Sequence, residues 1–520
     1  MKGKCSMKST GDGPALIKNA AANLSRLAAS WLVVILMPPI LVRSLTPHTY
    51  STWMLIIQLG AYTTLFESAL QMTTGRFVAQ SHGLGDRLRM GNMMSSSVLM
   101  LTLMSSVFLC LIALAAWQLN TFFPSIPHEI LQQSRLALLI TSASLALCLP
   151  CSALAGMYIG LQRNEVPALI GGGAKLFGAA GATWAAKHHQ GLVAMAIWTG
   201  IGTLLQPVFY LVADRAKTWR PFIRLMHLSK HGLLEFARFS AATILSQFSS
   251  LLITGLDLPI VASFDFESAA YYAVAVTFSN MLAVPYAAIV STIMPLTAGV
   301  VGENAEQKRG DMLMRTTQFA TPLLCLMTLP LMLGMRGFLT LWVGKDYASH
   351  AIVIGLVLVG AQFIRLTLVP YAIVGFSAGQ QQRMLASPII EGIVNLVLSL
   401  VLVRFLGAVG VAVGTLFGAL LGVLLHFTVS MPRTDSVCFP RLQLLIHGIL
   451  RPISYVLPVL AVFFLVRRSV DNSPAQFILL LPLEIMLACF LWFLHFDASE
   501  RSQLTSLIRL RMRSKVVREA

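Results

Sequence analysis

The chain has 520 residues, of which 56% are hydrophobic and only 11% are charged. Soluble domains carry about 25% charged residues, so this composition excludes a soluble enzyme, a fibrous protein and a disordered chain. It predicts an all-α polytopic membrane protein whose main solvent is the lipid bilayer.

The net charge is +17, from 38 Lys and Arg against 21 Asp and Glu. In a soluble protein this excess would indicate nucleic acid, but the sequence holds no zinc-finger, helix-turn-helix or aromatic RNA-binding pattern. Positive residues also gather in the cytoplasmic loops of membrane proteins. We therefore expect no nucleic-acid partner. The seven cysteines are scattered along the chain, and we expect no disulfide framework, metal site or cofactor.

Apolar runs of about 20 residues, the length that crosses a bilayer as a helix, predict fourteen membrane spans. They lie at 24–45, 51–73, 93–117, 134–157, 166–186, 190–213, 236–262, 269–295, 313–334, 351–376, 385–404, 407–430, 448–467 and 475–495. With the N-terminus placed in the cytoplasm, 27 of the 38 basic residues fall on the cytoplasmic side and 7 on the opposite side. This bias predicts that both termini are cytoplasmic.

An internal repeat relates residues 50–94 to residues 271–315. Each stretch begins with an aromatic residue and a span and then enters a polar loop. The offset covers six spans, and an even number gives both copies the same orientation. The repeat therefore predicts two parallel six-helix halves followed by two additional helices. The predicted divisions are a half at 1–213, a basic cytoplasmic linker at 214–235, a half at 236–430, two further spans at 431–495 and a basic cytoplasmic tail at 496–520.

Short motifs recur along the chain in a fixed order. They are Leu45-Thr46-Pro47-His48-Thr49-Tyr50-Ser51-Thr52-Trp53, Leu65-Phe66-Glu67-Ser68-Ala69-Leu70, Arg76-Phe77-Val78-Ala79, Leu256-Asp257, Ala270-Tyr271-Tyr272-Ala273-Val274-Ala275, Met294-Pro295-Leu296 and Gly375-x3-Gly379-Gln380. Over most of residues 20–430 this series resembles the polysaccharide-type flippases of the multidrug/oligosaccharidyl-lipid/polysaccharide (MOP) exporter superfamily. The chain departs from them at Leu258-Pro259, where a basic residue often follows the aspartate, and at Ala69, where glycine is common.

The resemblance implies a flippase of the bacterial inner membrane that carries an undecaprenyl-pyrophosphate-linked oligosaccharide outward for surface polysaccharide assembly. It implies alternating access between the two halves and a polysaccharide polymerase or other export machinery as partners. Two alternatives stay open. One is a cation-coupled multidrug antiporter of the same superfamily. The other is a membrane polysaccharide polymerase or ligase, which would need a large outer loop, whereas the loops near 118–133 and 335–350 are short. We expect the chain not to be an enzyme.

Charged residues inside spans are the candidate functional groups, because each costs about 2.5–3.5 kcal/mol to insert unless it faces a cavity or a partner. The candidates for a cationic chamber that binds the substrate are Arg26, Arg76, Lys175 and Arg365. Arginine binds phosphate bidentately and lysine binds it as a point charge. The candidates for ion coupling are Glu67, Asp257 and Glu391.

Each of these candidates has a structural alternative. Lys175 or Arg365 would form a buried ion pair with Glu391 or Glu67. Arg26 and Arg76, which lie near the ends of spans, would act as cytoplasmic anchors.

Overall fold

The computed structural model describes residues 31–213, 228–467 and 473–502. Within these ranges the chain forms helices joined by short turns, with no β-strand. The long helices, in chain order, are α1 Trp31–Ser44, α2 Pro47–Gly83, α3 Arg87–Trp117, α4 His128–Gly160, α5 Glu165–Lys187, α6 Gly191–Ala213, α7 Lys230–Phe264, α8 Phe266–Ser291, α9 Ala305–Leu333, α10 Lys345–Ser377, α11 at 381–406, α12 at 408–433, α13 Arg441–Val466 and α14 at 473–495. Shorter helices lie between some of them.

The helices confirm an all-α polytopic membrane protein. Among the described residues, nine helical stretches are long and apolar enough to cross a membrane, and α1 and Leu480–His495 are shorter apolar stretches. Each of the fourteen predicted spans overlaps one of the helices α1 to α14, and residues 24–30 of the first span lie outside the described part of the chain. The number of crossings stays a prediction, because α2 and α5 are not among the nine stretches. Of the predicted linker at 214–235, residues 214–227 lie outside the described part of the chain.

The chain divides into two compact units. The first unit comprises Met1–Val274 and Leu396–Val411, and the second comprises Ala275–Asn395 and Ala412–Ala520. The division into two six-helix halves, which the repeat predicts, remains a prediction.

Helices α2 and α4 of the first unit are in close contact through two glycines. A Cβ placed on Gly156 would lie 2.8 Å from the Gln71 carbonyl oxygen, and one on Gly160 would lie 2.5 Å from the Gly75 carbonyl oxygen. Such small residues let helix backbones approach closely in membranes. The contact brings the apolar faces of the two helices together around Leu70, which is fully buried. The close backbone contact therefore fixes the position of α2 along the axis of α4.

The two C-terminal helices pack against α9 in the second unit. The buried side chains of this cluster are Cys325, Leu329, Val459, Phe463, Leu483, Leu487 and Leu491. A second contact lies at the end of α14, where Nε2 of the buried His495 is 3.0 Å from the Gln318 carbonyl oxygen. Since lipid tails are as apolar as these side chains, close packing and this polar contact hold the helices together.

The break between α11 and α12 is a single glycine. Gly407 has φ 57° and ψ −141°, a backbone conformation that only glycine adopts without strain. Asp265 follows α7 and accepts a hydrogen bond from the Ala408 backbone N–H at 3.0 Å, so it caps the start of α12. A Cβ on Gly407 would lie 2.5 Å from the Oδ2 atom of Asp265.

Gly407→Ala is expected to destabilise the protein by about 1–3 kcal/mol, because alanine is strained in this conformation and its Cβ displaces the capping carboxylate. Thermal unfolding of the purified protein in detergent measures the effect. Gly360→Ala in α10 is the matched control, since no atom lies within 4 Å of a Cβ at that position. Glycine is also a weaker helix former than alanine, so this substitution should not lower stability. Equal melting temperatures for the two variants would contradict the prediction.

Candidate functional site

A basic cavity of about 640 Å³ lies in the first unit, at the end of the membrane that the charge bias predicts to be cytoplasmic. It is lined by Arg76, Phe77, Gln80, Arg89, His231, Leu234, Glu235, Arg238 and Phe239. Residues one helical turn apart share a face. Arg76 and Gln80 therefore project together from α2, and the lining residues 231, 235 and 238 project together from α7.

The described lining of this cavity holds more positive than negative side chains. Arg89 donates a hydrogen bond from Nη2 to the Glu235 carboxylate at 2.8 Å. Both side chains are about one-third exposed (31% and 33%), so the pair contributes at most about 1 kcal/mol. Arg76 and Arg238 are exposed, and neither has an acidic partner within the ranges that the structure describes. The cavity therefore presents two arginines beyond the one that Glu235 neutralises.

An aromatic ring orients one of these arginines. The guanidinium carbon of Arg76 lies 4.1 Å from the centroid of the Phe239 ring, a cation–π contact. A cation–π contact engages none of the guanidinium N–H groups as hydrogen-bond donors to a side-chain oxygen, so they are available to an anion. A cavity of this size is within the range of about 300–1,000 Å³ that ligand sites occupy. The arrangement is suited to binding phosphate groups.

A polar seam joins α2 and α7 deeper in the first unit. Pro259 has no N–H to donate to the Gly255 carbonyl one turn earlier. The Tyr62 hydroxyl and the Gln58 amide of α2 donate to that carbonyl instead, at 2.7 and 3.1 Å. A π-helical turn, Leu251–Gly255, precedes this point, and such turns are frequent at functional sites.

One buried carboxylate lies on this seam. Asp257 is 4% exposed and accepts a hydrogen bond from the Tyr272 hydroxyl at 3.2 Å. Ser68 of α2 accepts a hydrogen bond from the Gln247 amide of α7, whereas the neighbouring Glu67 lies near Cys148 and Cys151 of α4 and Tyr210 of α6. No ion-pair partner of Glu67 is present among the described residues.

The second unit contains a buried ion pair. Arg365 of α10 donates from Nε to the Glu391 carboxylate of α11 at 2.6 Å, and from Nη2 to the Thr415 carbonyl of α12 at 3.3 Å. The two charged side chains are 15% and 7% exposed. A Cβ on Gly422 would meet the Glu391 carboxylate, so glycine makes room for it.

The predicted site residues therefore fall in different places. Arg76 lines the cavity, Asp257 lies on the seam, and Arg365 is joined to Glu391 as the structural alternative expects. Glu67 lies on the side of α2 that faces α4 and α6. Lys175 is exposed on α5. Arg26 lies outside the described residues.

The sequence interpretation missed several residues of these sites. His231, Glu235 and Arg238 were not singled out as a group, although their spacing places them on one helical face. Gln58 and Tyr62 were also missed. Two features of the sequence could have indicated this contact. Gln58 and Tyr62 are hydrogen-bond donors one turn apart in an apolar helix, and Pro259 follows Gly255 by four residues in another span.

No family model matches the chain, and no curated protein matches it in sequence. Solved structures do match in fold. The lipid II flippase MurJ in an inward closed conformation has a TM-score of 0.68 at 16% identity, covering 91% of this chain and 98% of its own. An inward-facing multidrug resistance MATE family transporter of the MOP superfamily has a TM-score of 0.64 at 15% identity, covering 80% of this chain and 98% of its own.

The chain has the fold of the MOP superfamily transporters. A further MOP superfamily transporter, from Pyrococcus furiosus, with a binding pocket of reverse polarity, matches with a TM-score of 0.58 at 16% identity, over 81% of this chain and 96% of its own. The MOP neighbours named here are transporters and a flippase, not enzymes. At these identities the likeness establishes the fold, and the cargo has to be argued from the site.

Proposed function

We propose that this chain is a flippase that moves an undecaprenyl-pyrophosphate-linked oligosaccharide across the bacterial inner membrane for surface polysaccharide assembly. Translocation would proceed by alternating access. In this proposal both termini are cytoplasmic, and a polysaccharide polymerase receives the product on the outer face. Arg76 binds the diphosphate, Arg26 and Lys175 add positive charge to the chamber, and Glu67 or Asp257 couples transport to an ion gradient.

The observation that carries the proposal is the basic cavity. Its three arginines and single glutamate favour an anion over the cationic compounds that a multidrug exporter carries. Two of the arginines are available to phosphate oxygens, and charge-assisted bonds of this kind are about twice as strong as neutral ones. The likeness to a lipid II flippase over nine-tenths of the chain supports a lipid-linked cargo.

A deletion strain of the source organism tests the function. We expect surface polysaccharide to disappear while its lipid-linked repeat unit accumulates on the cytoplasmic face, where a probe added to the periplasm does not reach it. Complementation with the wild-type gene should restore export. Repeat units that reach the outer face but stay unpolymerised would contradict the proposal and favour a polymerase.

A cation-coupled multidrug antiporter is the second candidate, supported by the MATE likeness and by Glu67. A carboxylate inside a span, with no basic partner among the described residues, is the kind of group that binds a cationic drug or a proton. This candidate predicts that the deletion strain makes normal polymer and becomes sensitive to cationic dyes. The same strain therefore separates the two functions.

A further inference from the structure

Among the described residues, Glu235 is the one acidic side chain that lines the basic cavity. It neutralises Arg89 at 2.8 Å and lies one turn from Arg238 on the same face of α7. The described lining of three arginines and this glutamate has an excess of two positive charges. An anion that contacts Arg76 and Arg238 enters a space that Glu235 borders.

The charge of a lipid diphosphate depends on whether its second end is esterified. With a sugar attached, each phosphoryl group carries one negative charge, and the sum is two. Without the sugar, the terminal phosphate is a monoester that carries about 1.5 to 2 charges near neutral pH, and the sum approaches three. A basic cavity therefore attracts the bare lipid more strongly than the loaded lipid, unless an acidic group opposes the additional charge.

We propose that Glu235 shifts the selectivity of this cavity toward a diphosphate esterified at both ends and away from the same lipid with a terminal phosphate. The inference rests on the proposed function, because it assumes that the cargo is a lipid-linked glycan. The carboxylate repels the additional charge of the terminal phosphate, and by pairing with Arg89 it removes that arginine from phosphate binding. A flippase with this shift moves fewer empty carriers.

The test uses the purified full-length protein in lipid nanodiscs and two soluble-chain probes. Farnesyl diphosphate represents the bare lipid, and its diester with N-acetylglucosamine represents the loaded one. We expect Glu235→Gln to tighten the binding of farnesyl diphosphate about threefold to tenfold more than that of the diester, because one additional negative charge at a partly hydrated site loses a repulsive neighbour. The ratio of the two dissociation constants is therefore the measured quantity.

Three further variants make the result specific. Arg76→Ala combined with Arg238→Ala should abolish binding of both probes, which places them in this cavity. Glu165→Gln is the matched control, because Glu165 pairs with Arg163 at 3.6 Å in the same unit but outside the cavity. It should leave the ratio of dissociation constants unchanged. The exchange of charges in the double variant Arg89→Glu with Glu235→Arg should keep the wild-type ratio.

An unchanged ratio of dissociation constants in Glu235→Gln would overturn the inference, as would retained binding in the double alanine variant. These outcomes are separate from failure of the proposed function. If the deletion strain traps no lipid-linked repeat units, the function is wrong whatever the probes show. If it traps them and the ratio does not depend on Glu235, only the selectivity is wrong.

Discussion

Glu391→Ala is expected to destabilise the protein by about 3–5 kcal/mol, since it leaves the Arg365 guanidinium buried without its counter-charge. The Thr415 carbonyl is too weak a partner to compensate for the lost carboxylate. Little monodisperse protein should be recovered after detergent extraction, and what remains should unfold at a much lower temperature. Thermal unfolding and size-exclusion chromatography measure both effects.

A double variant distinguishes a structural pair from a substrate site. Arg365→Met combined with Glu391→Leu removes both charges and should recover most of the stability, because a buried ion pair is often matched by apolar residues of similar volume. If the double variant folds and still exports polymer in cells, Arg365 binds no substrate. If Glu391→Ala alone is as stable as the wild-type protein, the ion pair makes no structural contribution and this prediction is wrong.

Gly160→Leu is expected to prevent normal folding of the first unit. Even an alanine Cβ at this position would lie 2.5 Å from the Gly75 carbonyl oxygen and 2.9 Å from the Val78 Cβ atom, so α2 and α4 would have to separate. Gly160→Ala should cost about 1–3 kcal/mol, as overpacking of well-packed interiors does, and leucine should cost more. The yield of folded protein and its melting temperature report the effect.

Gly173→Ala on α5 is the control for this prediction, because no atom lies within 4 Å of a Cβ there. It should be neutral or slightly stabilising, since alanine is the stronger helix former. Equal melting temperatures for Gly160→Ala and Gly173→Ala would contradict the prediction, because they would show that the contact between α2 and α4 adds no cost at Gly160.

The helices were predictable from the sequence because the thickness of the bilayer fixes the length of each apolar run. Arg76, Glu67 and Asp257 were also identifiable, since charge inside a span is costly and therefore conspicuous. Partners were harder to predict. Arg365 had two acidic candidates, and only the packing of α10 against α11 selects Glu391.

The seam and the cavity depend on contacts between distant parts of the chain. Tyr62 is 193 residues from Gly255, and Arg89 is 146 residues from Glu235. The spacing of polar residues along one helix indicates which face they share, but not which helix that face meets. The π-helical turn depends on such a contact as well, because the donors that satisfy the Gly255 carbonyl come from α2.

The proline in α7 also determines which motions that helix can make at low energetic cost. The Gly255 carbonyl has no helical hydrogen bond to Pro259, so bending α7 at this point breaks none at that carbonyl. Sliding α7 along its axis would instead carry the carbonyl away from both side-chain donors at once. The seam therefore acts as a pivot that tolerates a change of angle and resists translation.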